Sequence, residues 1–396
     1  MIADFLQYQA RTTPNPLGIE IAKAKGSYIW DEKGNKYLDF VAGVSACSLG
    51  HRHPRVVRAL RRQSRKYLHV MVYGEFAQGP SVRLSKKLIN ALPQPLEQVY
   101  LTNSGTEAIE GALKMAKRYT GRDELIGALN SYHGSTHGSL SLTGYEEIKK
   151  GYGPLLPNVD FIRFNAEEDL HKIGHKTAAV ILETIQGGAG FIQPEKDYLK
   201  AVKERCEATG ALLILDEIQP GFGRTGALFA FMNSTIVPDI LVMGKGMGGG
   251  VPIGAFASSK EIMECLTINP KLGHITTFGG NPLISAAAEA TLSTILESRL
   301  MELIPEKEAL FRELLHHPKI KQINGTGLML APIFVSAEVA NQVVLRCLKE
   351  GLILFWLLWE KKAIRISPPL TISTSEIKKG CHILLHVLDT LPDTVN

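Results

Sequence analysis

Through the middle of the chain, short apolar runs alternate with stretches of helical period. The runs predict strands at Gln98–Thr102, Glu124–Leu129, Asp160–Phe164, Ala178–Glu183, Leu212–Asp216, Ile240–Met243 and Ile253–Ala257. Between most of them the apolar spacing lengthens to that of a helix, most clearly at Thr106–Tyr119 and Asp197–Thr209. Runs such as Leu212–Leu215 are apolar at every position, which suits a strand buried on both faces. Strands of this kind spaced by helices imply βαβ units and a mostly parallel seven-stranded sheet covered by helices. Both chain ends read differently. Ser27–Asp39 predicts a hairpin turning at Lys33-Gly34-Asn35, and after residue 295 the pattern runs helix, short strands, then a helix over Glu376–Leu388. The expected architecture is therefore α/β: a large domain over 51–290 and a smaller α+β domain from residues 1–50 and 291–396.

Composition fits this reading. Of 396 residues, 45% are hydrophobic and 21% charged, as in a packed globular protein. The formal charge is only +5. The one basic cluster, Arg58–Lys66, reads as a solvated helix face, so no nucleic-acid partner is expected. Cys47, Cys206, Cys265, Cys347 and Cys381 form no CxxC pair. Scattered free thiols, no signal-peptide pattern at the start, and an apolar run (Leu352–Trp359) far short of the roughly 20 residues of a membrane span lead us to expect a cytoplasmic protein without a membrane partner.

In parallel sheets ligands gather beyond the carboxyl ends of the strands, and the residues there are chemically suggestive. After the first strand come Ser104-Gly105-Thr106, small residues opening a helix whose free amides would suit a phosphate, although they also make an ordinary cap. After the second comes Tyr132-His133, an aromatic that could stack on a flat ring or simply fill core. The fifth ends in Asp216, a carboxylate in an apolar run that needs a cation, a metal or a protonated ring nitrogen as partner. No cluster of His or Cys lies near it to complete a metal site. Past the sixth, Lys245 stands among glycines. The GxxxxGK[ST] phosphate loop is absent there, and a lysine beyond a buried strand can have a lowered pKa and act as a nucleophile. A phosphate cradle, a ring stacker, a carboxylate and a lysine, in that order, are what pyridoxal phosphate requires.

Seven segments then match in order: YLDFVAGVSACSLGHRHP (37–54), TNSGTEAIEGALKMA (102–116), SYHGSTHG (131–138), ILDEIQPGFGRTG (214–226), LVMGKGMGGGVPIGA (241–255), TTFGGNP (276–282) and IRISPPLTI (364–372). Over residues 12–385 the chain resembles the class III, fold-type-I, pyridoxal-phosphate-dependent aminotransferases. The resemblance implies that Lys245 carries the cofactor as a Schiff base and shuttles a proton, and that Asp216 pairs with the pyridinium nitrogen. It implies that Tyr132 and Ile218 pack on opposite ring faces, that Gln219 meets the ring hydroxyl, and that His133 supports the cofactor loop. Ser104, Gly105 and Thr106 would hold the phosphate, completed by Thr277 of a neighbouring subunit, so a homodimer with shared active sites is expected. Glu183 would orient groups near the ring. Arg365 would take a substrate carboxylate as a bidentate pair. The HRHP histidines, His51 and His53, would be structural, and no metal is expected. The implied reaction moves an amino group between an amino-acid or ω-amino-acid donor and 2-oxoglutarate; an aminomutase, epimerase or decarboxylase on the same scaffold is the alternative.

The chain departs from the family pattern at three places. Gly188 stands where many members carry a second glutamate that neutralises the arginine while a terminal amine reacts. Val44 stands where ornithine-specific members tend to have tyrosine, which resembles the acetylornithine-type members and makes Val44 a substrate-site candidate. Leu354–Trp359 is unusually bulky: a core strand with a helix end, or an apolar wall that selects the donor.

Overall fold

In a computed structural model of the protein, described here over residues 1–71 and 74–392, the seven expected strands form one sheet. The last four residues of the expected C-terminal domain, 393–396, lie outside the described residues. The sheet runs Gln98–Thr102, Gly254–Ser258, Ile240–Met243, Leu212–Asp216, Thr177–Glu183, Glu124–Ala128, Val159–Ile162. Every neighbouring pair is parallel except those of Gly254–Ser258, which is antiparallel to both its neighbours. The central strands Thr177–Glu183, Leu212–Asp216 and Ile240–Met243 are buried at every position, as their unbroken apolar runs require. Expected and observed strand ends differ by at most two residues, and the helices Gly105–Thr120 and Tyr198–Thr209 cover the connections as anticipated.

The hairpin is present as Tyr28–Asp31 and Lys36–Asp39. Asp31 closes its turn, with Oδ1 accepting from the amides of Lys33 (3.0 Å) and Asn35 (2.8 Å). Ile21–Lys25 extends this sheet on one side, and Leu352–Ile353, some 300 residues away, joins it in parallel on the other. The C-terminal helix Thr374–Asp389 opens with a capping box between Ser373 and Glu376. Ser27 also donates to Glu376 Oε2 (3.2 Å), fastening the two chain ends together.

Residues 354–359 contain no helix end. Phe355–Trp356 is a two-residue strand antiparallel to Ile364–Arg365, and the chain then turns through Leu357–Trp359. On the helix Pro54–Ser64, Arg58, Arg61 and Arg62 are exposed, and of its arginines only Arg55 meets an acid, Glu297 at 2.6 Å, among the described residues. All five cysteines are free thiols. Among the described residues no helix is long and apolar enough to cross a membrane.

Candidate active site

Beyond the carboxyl ends of the parallel strands lies a cavity of about 430 Å³. Register builds its floor. Glu183 and Asp216 are direct partners on adjacent parallel strands, so two carboxyl groups arrive side by side. Both are buried, and both are hydrogen-bonded. Asp216 Oδ2 lies 2.8 Å from His133 Nδ1, and its Oδ1 accepts from the Ile218 amide at 2.9 Å. Glu183 accepts from the amides of Tyr132 (3.0 Å) and Gly187 (2.9 Å). Burial pushes the Glu183 carboxyl up to about 7.

Lys245 follows the strand Ile240–Met243 and has φ +40°, a left-handed conformation that side chains adopt only when their surroundings enforce it. Ser48 Oγ donates to Gly246 O (2.8 Å) and pins the turn. Burial lowers the Lys245 ammonium pKa, while the nearby Asp216 charge opposes that shift. The opposite wall begins with the helix Gly105–Thr120. Ser104 caps it, its Oγ accepting from the Glu107 amide at 3.3 Å, and does not itself line the cavity. Gly105 and Thr106 do line it. Any side chain at 105 would strike Ile218, 2.7 Å from the position of a Cβ, so only glycine lets the helix start approach this closely. The first amides of a helix have no partner within it, which leaves them available to a phosphate.

Tyr132, His133, Ile218, Gln219, Val44 and Arg365 complete the expected set around the cavity. Among the described residues, His133 Nε2 and Gln219 Nε2 are buried without a partner. Val44 sits in a turn whose residues 42–45 all have positive φ, and a β-branched residue there is strained. Arg365 donates from Nε to Trp356 O at 3.1 Å, and burial brings its pKa down to about 10. Thr277 is the exception: it lies exposed beside Phe278, outside the cavity formed by this chain. His51 is paired with Asp39 at 2.8 Å, which in turn accepts from the Val41 and Ala42 amides.

Sequence reasoning left out Phe355 and Leu358 as individual site residues, although the bulky run containing them was visible; both line the cavity. It also missed Tyr145, whose ring stacks on Trp359 (4.2 Å between centroids, 14° between planes). No local signal marks that contact, which joins positions over 200 residues apart. The residues present fit pyridoxal phosphate. A helix start is open to its phosphate, a buried carboxylate held by a histidine awaits a ring cation, a desolvated amine lies nearby, and two buried polar nitrogens lack partners.

Residues 8–388 match the model of the family described as aminotransferase class-III. The chain is 37% identical to the acetylornithine aminotransferase of Caldanaerobacter subterraneus subsp. tengcongensis, covering 96% of this chain and 97% of that one. It is 36% identical to the succinylornithine transaminase/acetylornithine aminotransferase of Pseudomonas aeruginosa, covering 96% and 94%. Among solved structures it superposes on an ornithine aminotransferase from Toxoplasma gondii, described with partial occupancy of PLP at its active site, with a TM-score of 0.90 and 32% identity over 97% of this chain and 92% of that one.

Proposed function

The chain belongs to the class-III aminotransferases, and within that family we propose that it moves an amino group from an amino-acid donor to 2-oxoglutarate. Its cofactor is pyridoxal phosphate. What carries the proposal is the meeting, in one cavity, of Lys245, the Asp216–His133 pair and Arg365. The names of the relatives put acetylornithine- and ornithine-like amino acids first among donors to assay. They are names of transaminases, and nothing favours the aminomutase, epimerase or decarboxylase alternative.

When bound, the cofactor supplies an electron-withdrawing ring that makes a proton on the donor's reacting carbon acidic. In our reading the protein does the rest. Asp216, fixed by His133 and the Ile218 amide, holds a proton on the ring nitrogen by a charge-assisted hydrogen bond. Lys245, whose ammonium pKa burial lowers, would carry the cofactor and take up at Nζ the proton that leaves the donor carbon. Gly105 and Thr106 would anchor the phosphate through backbone amides, and Ser104 fixes the helix start that presents them. Tyr132 and Ile218 would hold the ring, Gln219 would bind its hydroxyl through Nε2, and Glu183 fixes the Tyr132 and Gly187 backbone. Arg365 binds the carboxylate of 2-oxoglutarate, and Val44 borders the substrate space.

We further propose a homodimer in which the partner's Thr277 completes each phosphate site. The segment bearing Thr277 supports this. Ile268, Leu272, Ile275 and Phe278 are each about half exposed, and Phe278 packs against His69 (4.8 Å), next to exposed Leu68 and Met71. Apolar side chains exposed along one segment suit a contact surface. The test of the reaction is glutamate formation from 2-oxoglutarate and an amino donor by the holoenzyme. Turnover supports the reading; a cofactor-loaded protein that forms no glutamate with any amino acid contradicts it.

A further inference from the structure

The charged side chains lining the cavity are Glu183, Asp216, Lys245 and Arg365. Both acids are already held in place, Glu183 by two amides and Asp216 by His133 and a third amide, with the cofactor's ring nitrogen as the partner left to Asp216. Arg365 has a carbonyl partner and no carboxylate among the described residues. The protein also has no room to supply one from the facing wall. Gly188 forms that wall, and the indole of Trp359 lies directly against it. A Cβ at 188 would stand 2.5 Å from Trp359 Nε1, 2.9 Å from Cδ1 and 3.1 Å from Cε2. The indole cannot swing away cheaply. Its backbone amide donates to Gly188 O at 2.9 Å, and its ring stacks on Tyr145. The same segment then turns Phe355 and Leu358 toward the cavity.

We infer that Trp359 sets the donor class: by filling the space in front of Gly188 it leaves Arg365 to be neutralised only by substrate, and so selects donors whose reacting amine is α to a carboxylate. The inference rests on the transamination reading of this site and revises the donor that the relatives' names put first. A buried guanidinium left unpaired is costly. A donor reacting at its α-amine brings a carboxylate to Arg365. A donor reacting at a terminal amine brings only a methylene there and leaves the charge bare. Val44, Phe355 and Leu358 offer apolar contact in the same cavity.

The test compares kcat/KM of the holoenzyme for leucine and methionine with that for N-acetylornithine and 4-aminobutyrate, at fixed 2-oxoglutarate. The wild type should favour the α-amino donors by about tenfold or more, the equivalent of one lost charge pairing of at least about 1.4 kcal/mol. Trp359→Phe, which keeps a ring against Gly188, should keep that ranking. The double variant Gly188→Glu/Trp359→Ala, which places an acid in the cavity that Arg365 lines, should raise KM for the α-amino donors and shrink or invert the ratio. If the wild type prefers N-acetylornithine or another terminal amine, the inference falls while transamination stands. An unchanged ratio in the double variant overturns it too. Failure of every donor would sink the transamination reading along with it.

Discussion

Asp216 spends each of its two oxygens on a different fixed donor, and the sequence shows why such fixing is needed. A carboxylate ending an apolar strand has no water to compensate it, so His133 and the Ile218 amide hold it where a ring cation would complete the set. Asp216→Asn should still bind cofactor but lose about 10–100-fold in kcat, the worth of a charged over a neutral hydrogen-bond partner. Rates near wild type at saturating cofactor would remove Asp216 from that role. Most of the site was legible at this scale, because Lys245, Asp216, Tyr132 and Gly105 each follow a strand and strand ends converge. Trp359 was not. Its influence comes through Gly188 and Tyr145, and only the folded chain brings those three together.

Strands and helices with continuous apolar runs were readable to within two residues, since burial on both faces fixes their period and length. Of the short strands expected after residue 295, the two-residue pieces near 355 had no readable bounds, because pairing alone defines them: Leu352 with Leu38, Phe355 with Arg365. The helix Thr374–Asp389 shows how tightly such distant elements fit. A methyl group on Gly380 would stand 2.1 Å from the Phe40 ring. Gly380→Ala should therefore destabilise the fold by about 1–3 kcal/mol through overpacking, despite the better helix propensity of alanine. Denaturant melts check this, and a neutral or stabilising result would mean that Phe40 yields freely.

At the scale of the whole molecule, two consequences can be measured. Glu217 is fully buried, and burial raises its carboxyl to about 7 from 4.5, outweighing the amides of Ala230 and Phe231 that it accepts and reinforced by the neighbouring Asp216 charge. A raised acid favours the fold while protonated, so its contribution is full below pH 4.5 and is lost as pH rises through 7. Over that window the wild type should lose up to about 3 kcal/mol relative to Glu217→Gln; parallel stability curves would contradict the shift. The second is assembly. The holoenzyme should sediment at twice the chain mass of 43.4 kDa, and Phe278→Glu should both break the dimer and release cofactor. A Phe278→Glu dimer that retains cofactor would place the interface elsewhere.

The most direct test of the account is the visible spectrum of the holoenzyme taken through one half-cycle. Wild-type protein loaded with pyridoxal phosphate should show a yellow band that bleaches with an amino donor and returns with 2-oxoglutarate, while Lys245→Ala should show neither the band nor the cycle. A band and cycle that survive loss of Lys245, or a wild-type band that no amino acid bleaches, would contradict it.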